Sequence, residues 1–331
     1  DSDDRPWLLS YGGAYNVDLW QFLDGQWQVA SELAGNHLFS GAGSFLVSQA
    51  GTLVAALPRD FQGPSVVGTW TNGAWSFDPI GHSGTLSDTK VPLTLSAGGN
   101  PHVAFFDVVD GAWTLFWQVP PAAPEEVSPY NSNSLEFGRA AIAVTGPGDS
   151  EVPHAFFNRS NGAESFELIY ATRGAAGQWR NTSIASGHQV GWTWSCGDVP
   201  TAEGVRCTVS FDIVRPLFSI AAGDEVRLFF SSAHVDGDFT STCATTYMPA
   251  PQCRFVGPVL ATGSLRVAWP YPEGVQSAIV VDDVLVESAT GLIDAQGGIH
   301  VAMAVAELPG QDGFSGRSTI RYVEIEAAEH P

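Results

Sequence analysis

The sequence predicts an all-β fold, a β-propeller of six blades with four antiparallel strands in each. Three observations carry this. The 331 residues hold 36 Gly and 21 Pro beside 11 Trp and 19 Phe, with charged residues at only 15%. That mixture suits short strands and many turns, and it is too apolar for a disordered chain. No segment sustains helical periodicity over about 12 residues. A two-run apolar pattern recurs about every 45–50 residues, the period of a four-stranded blade. The count becomes seven if residues 185–215 hide a further blade.

The elements follow in chain order. A half-formed copy opens at residues 6–11. In five later copies, an apolar run ends in a Gly-containing turn and a second run follows: 44–48 into 52–56, 92–95 into 101–107, 140–144 into 153–158, 217–220 into 225–230, and 291–294 into 298–303. Each second run leads to a third strand, at 17–20, 66–70, 114–117, 167–170, 265–269 and 319–322. A fourth strand opens with Trp27, Trp75 or Trp179 after a tight turn. Asp24-Gly25 and Asn72-Gly73 supply two of those turns, because both residue types tolerate positive φ. The chain starts near a second strand and its last copy ends after a third, at 323–325, so the terminal blades are expected to complete one another.

The repeat text resembles that of secreted bacterial β-propeller proteins, whose repeats read roughly S-L-A-x-D-x-x-G-x-x-H-V-A-Y-x-D. The stretches that carry the likeness are GNPHVAFFD, GGIHVAMAV, EVPHAFFN and GRAAIAV. The resemblance implies a propeller in the style of the sialidase-type and polysaccharide-lyase-type folds. It brings no catalytic residue with it, since such repeats serve enzymes and binding modules alike. The sialidase aspartate box, S-x-D-x-G-x-x-W, is absent.

Charge narrows the partners. Lys+Arg number 14 against 35 Asp+Glu, a formal charge of −21, and Lys90 is the sole lysine. Nucleic-acid binding needs clustered cations to neutralise phosphates, so it is excluded. Anionic membrane surfaces are disfavoured for the same reason. No apolar run is long enough for a membrane span, which needs about 18 residues or more. The Asp1-Ser2-Asp3-Asp4 start reads as a chain processed or trimmed after an export signal or an acidic linker. Cys196 and Cys207 lie 11 apart, and Cys243 and Cys253 lie 10 apart, in Gly/Pro/Thr-rich stretches. Two local disulfides are expected, which fits a secreted, periplasmic or cell-surface monomer.

Strand direction sorts the histidines. With strands A to D running from the inner to the outer edge of a blade, A–B and C–D turns share one face. B–C loops and D-to-A connections share the other. His102, His154 and His300 fall at one repeat position, the start of strand B. They are read as packing residues bonded to backbone carbonyls rather than as a metal ring. His37, His82, His188 and His234 fall on the opposite face. The first three follow the fourth-strand Trp and a Gly. Converging imidazoles at a channel mouth would hold a divalent metal, zinc or copper, with calcium less favoured because it prefers oxygen ligands.

Cysteine-bearing inserts at about 185–215 and 232–262 are expected beside them as loops, carrying Trp192, Trp194, Tyr247, Met248 and Arg254. Aromatic loop walls suit sugar rings. The expected function is action on a polysaccharide or small polar substrate, as a lyase or hydrolase. A metal would polarise a carbonyl or acidify water. Arg139 or Arg254 would hold a carboxylate, and Tyr130 or Tyr247 would move a proton. The competing expectation is a non-catalytic module binding glycan, protein or metal. Two glycosylation sequons, at Asn158 and Asn181, complete the motifs.

Overall fold

The computed structural model describes residues 6–12, 16–33, 44–48, 50–57, 65–81, 91–129, 139–160, 165–174, 177–188, 195–196, 205–241, 255–256, 259–271, 274–294, 296–306 and 318–325. It is an all-β molecule whose strands form six antiparallel sheets, the six blades of a β-propeller.

Among the described residues the first blade has three strands, β1 (Trp7–Gly12), β2 (Asn16–Leu23) and β3 (Gln26–Leu33). The second runs in order through β4 (Ser44–Val47), β5 (Leu53–Leu57), β6 (Ser65–Thr71) and β7 (Ala74–Ile80). The third comprises β8 (Leu93–Leu95), β9 (Pro101–Val109), β10 (Ala112–Gln118) and β11 (Glu125–Pro129). The fourth comprises β12 (Ala140–Thr145), β13 (Val152–Ser160), β14 (Ser165–Arg173) and β15 (Trp179–His188).

The fifth blade is the largest. Its strands are β16 (Ser195–Cys196), β17 (Val205–Ala222), β18 (Glu225–Ser241), β19 (Phe255–Val256), β20 (Val259–Tyr271) and β21 (Gly274–Asp282). The sixth has three among the described residues, β22 (Leu285–Ile293), β23 (Ile299–Ala306) and β24 (Ser318–Ile325). The regions read as loop inserts therefore contribute strand. Beyond the blade's own pairing, β18 stays in register with β20 as far as Gly237↔Val259, and its tip pairs β19.

Turn chemistry explains the hairpins. Asp24-Gly25, Asn72-Gly73 and Asp110-Gly111 each place two successive residues at positive φ, between 51° and 83°. Those paired left-handed residues match the twist of the flanking strands. The A–B turns of the second, third and sixth blades share another design. Ser48, Ser96 and Asp294 each donate a backbone N–H to the carbonyl four residues on, and each accepts at its own carbonyl the N–H of Gly51, Gly99 or Gly297. Those glycines sit at φ 78°, 81° and 87°, where a Cβ would be strained. The Ser or Asp side chain also accepts the amide of Thr52, Asn100 or Gly298. The turn therefore reads Ser/Asp-x-x-Gly at the level of sequence.

Contacts divide the chain into two compact units. One is Asp1–Phe157 with Tyr170–Asn181 and Gly223–Val226, and the other is Asn158–Ile169, Thr182–Ala222 and Arg227–Pro331. In the first unit, one apolar cluster joins Val54, Ala56, Val67 and Ile80 to Val103, Phe105 and Phe116. A second joins Val17 and Leu9 to Ala55, Leu57 and Val66. In the second unit, Phe229, Leu265, Val301, Met303 and Val305 form the corresponding core, with Phe218 packed on it. Strands β9 and β13 are buried for six residues running, as strands covered on both faces are.

Candidate functional site

The repeat position occupied by His102, His154 and His300 is where the structure gathers its polar chemistry. In the fourth blade, Thr145 Oγ1 lies 2.9 Å from His154 Nε2, and Tyr170 Oη lies 2.8 Å from Nδ1. In the sixth, Asp294 Oδ2 lies 2.8 Å from His300 Nε2, and Tyr322 Oη bonds to Nδ1. The two constellations are built alike. The histidine lies on the second strand, the phenol on the third, and the Nε2 partner at the end of the first. In the third blade the phenol is replaced by Trp117, whose ring lies 5.5 Å from that of His102. Among the described residues His102 Nδ1, the nitrogen that a phenol bonds in the other two blades, has no hydrogen-bond partner, and Nε2 lies 3.2 Å from Glu151 Oε2.

Solvent separates the three. His154 and Tyr170 are buried, and burial lowers the His154 pKa to about 4. His102 is buried as well, and desolvation pulls its pKa down against the opposing pull of the Glu151 carboxylate. Both rings belong to the packing. The side chains of His300 and Asp294 are 22% and 29% exposed, and Tyr322 is 62% exposed. The hydrogen bond from His300 and the amides of Gly298 and Gln296 hold the Asp294 carboxyl below its ordinary range. The expected partners of these histidines were backbone carbonyls. The observed partners are side chains, because the strand carbonyls are already committed to the ladders.

The opposite-face histidines are described less completely. His37, His82, Tyr130, Tyr247 and Arg254 lie outside the described residues, as do Trp192, Trp194 and Met248. The chain just before His82 is pinned, since Gly81 N–H donates to Gln118 Oε1 at 3.1 Å, while Gln118 Nε2 donates to the Ala122 carbonyl at 2.8 Å. His188 is the last residue of β15, with its side chain outside the description. Arg139 is exposed at the entry to β12. His234 stands on β18, exposed, with Nδ1 2.7 Å from Asp212 Oδ1 on β17. A carboxylate only accepts, so Nδ1 is the donor in this bond. Among the described residues, no three His, Cys, Asp or Glu side chains converge on one metal position.

Of the two sequons, Asn158 is buried and donates from Nδ2 to the Val214 carbonyl at 2.5 Å, whereas Asn181 is exposed. The Asp294–His300–Tyr322 group was not picked out as a site from the sequence. Its signal was the Ser/Asp-x-x-Gly turn with Asp in place of Ser, six residues before a histidine.

No family model matches the chain, and no curated protein does. Solved structures are similar at low identity. One is an ulvan lyase of a polysaccharide lyase family, 11% identical with a TM-score of 0.45, covering 86% of this chain and 68% of that one. An α-L-arabinanase from Cellvibrio cellulosa is 10% identical with a TM-score of 0.33, covering 85% and 90%. A β-fructofuranosidase from Bombyx mori is 10% identical with a TM-score of 0.35, covering 88% and 60%.

Proposed function

We propose that the protein is an exported, carbohydrate-acting propeller enzyme of the lyase or hydrolase type, working through its histidine-bearing face with a divalent metal. The observation that supports this reading is the Asp212–His234 pair. A carboxylate that accepts a hydrogen bond from Nδ1–H fixes the ring and leaves Nε2 as the ligating nitrogen, which is how proteins pre-orient a metal-binding imidazole. His300 and His154 cannot serve in that way, because both of their ring nitrogens are already bonded. In this reading His37, His82 and His188 complete the ligand set. Arg139 or Arg254 holds a substrate carboxylate, and Tyr130 or Tyr247 moves a proton. The metal supplies Lewis acidity.

The test combines metal analysis with turnover. The purified protein is expected to carry about one equivalent of zinc or copper and to depolymerise at least one member of a panel of neutral and uronate-bearing polysaccharides. His234→Ala is expected to lose metal and turnover together. Asp212→Asn is expected to weaken metal affinity by about 10–100-fold. A metal-free protein whose His234→Ala variant matches the parent would falsify the metal reading. Glycan binding without turnover would instead make the protein a lectin-like module.

A further inference from the structure

The sixth blade carries a second constellation that the metal reading does not use. We propose that Asp294, His300 and Tyr322 form a metal-independent proton-transfer site whose working group is the Tyr322 hydroxyl, and that its substrate is a neutral, hydroxyl-bearing ligand such as a glycan.

The direction of the proton follows from the geometry. The Asp294 carboxylate can only accept, so His300 Nε2 carries a proton and donates it at 2.8 Å. Nδ1 is then the basic nitrogen, and the Tyr322 hydroxyl donates to it. When substrate arrives, Tyr322 Oη takes a proton from a substrate O–H or an acidified C–H, and the phenol's own proton passes to Nδ1. One Oη–H bond forms as another breaks, and the ring becomes an imidazolium balanced by Asp294. Return of that proton through Tyr322 to a departing oxygen restores the resting state. No redox partner is needed. The logic is that of an oriented base activating a hydroxyl.

The fourth blade provides an internal control. Its His154 and Tyr170 are arranged alike, but Thr145 replaces the carboxylate and burial holds the ring neutral. Among the described residues, no carboxylate bonds to His154 to balance an imidazolium. The sixth blade alone of the two combines the carboxylate with access to solvent.

The surroundings point to the ligand class. Leu292 and Glu324 flank His300 in register across the sheet, so all three share one face, with Tyr322 two residues from Glu324. Leu292 is 58% exposed and Ile320, on that same face, 77%. Apolar side chains beside acceptors suit the apolar face and hydroxyl rim of a sugar. Glu324 and Asp294 repel a polyanion. Gly298 keeps the carboxylate in place, since a Cβ there would meet Asp294 Oδ2 at 2.8 Å.

A tyrosine-reactive arylsulfonyl fluoride, 4-(2-aminoethyl)benzenesulfonyl fluoride, tests the activation without a known substrate. With EDTA present, so that loss of metal cannot interfere, peptide mapping by mass spectrometry follows Tyr322 against Tyr271, which is also exposed. Tyr322 is expected to label at least about ten-fold faster than Tyr271, a modest share of what a positioned base supplies. His300→Gln is expected to abolish the advantage, and Asp294→Asn to reduce it. Gly298→Ala, which leaves all three groups in the chain, should act like Asp294→Asn. Circular dichroism confirms that each variant is folded. Equal labelling of the two tyrosines, a rate unmoved by His300→Gln, or a Tyr322 protected from reagent by covering protein would overturn the proposal.

Discussion

Position 294 carries a carboxylate where the third and fourth blades carry Ser96 and Thr145. All three end a first strand and sit beside the repeat histidine's turn, yet the change decides what the histidine can do. A hydroxyl satisfies Nε2 in either direction, whereas a carboxylate fixes the tautomer. His154 shows the packed outcome, and its behaviour with pH can be measured. Its pKa of about 4 lies below the ordinary 6.5, so the fold stabilises the neutral ring. That contribution is complete above pH 6.5 and is lost as pH falls from there through about 4, amounting to about 3 kcal/mol. Urea unfolding of the parent and of His154→Gln at about pH 7.5 and about pH 4.5 checks this. The parent should lose more stability between the two pH values than the variant does. Parallel losses would mean that the acid sensitivity arises elsewhere.

At the scale of elements, the hairpins were legible because their turns are chemically demanding. Asp24-Gly25 and Asn72-Gly73 adopt the paired positive φ that their composition requires, and each leads into a strand whose second residue is Trp, β3 and β7. The long strands β17 and β18 were not legible. Their outer halves, rich in Gly, Thr, Ser and Asp, read as loop, because polar strand residues gain their place from cross-strand pairing rather than from intrinsic preference. That pairing sets Cys196 directly opposite Cys207. Facing residues of an antiparallel pair have Cα atoms about 4.5–5.5 Å apart, inside the span that a disulfide bridges. We expect Cys196 and Cys207 to be joined in the oxidised protein. Peptide mapping after alkylation without reductant should find neither cysteine modified, and the double Ser variant should be less stable by about 2–4 kcal/mol. Full alkylation of both thiols would rule the bond out.

For the whole molecule, stability rests on apolar strands buried on both faces. Phe229 is fully buried, and its ring stacks on Phe218 with centroids 4.6 Å apart. Gly291 belongs to the same contact, because a Cβ there would meet the Phe218 ring at 2.7 Å. Truncation of Phe229 to Ala should cost about 3–5 kcal/mol in thermal or urea unfolding, as expected for an aromatic removed from a core that relaxes only partly. A loss below about 1 kcal/mol would show that the fifth and sixth blades do not share this core. The charge of −21 plays no part in that core, whose members are apolar. It acts on solubility and on the choice of ligand, favouring neutral or cationic partners over polyanions.

The sequence by itself determined the all-β class, the six-fold repetition, the turn positions and the strands that follow them. Each of these depends on residues close together in the chain, through φ preference, alternation and period. The tertiary structure decided the chemistry. The sequence around Asp294, His300 and Tyr322, or around Asp212 and His234, does not say that these groups bond to one another or that they stay open to water while the set around His154 is buried. Their partnership depends on strand register, which brings residues 6 to 22 positions apart within one hydrogen bond, and on which blade face is left open to water. Those two quantities are properties of packed sheets, so they become visible only when the sheets are assembled.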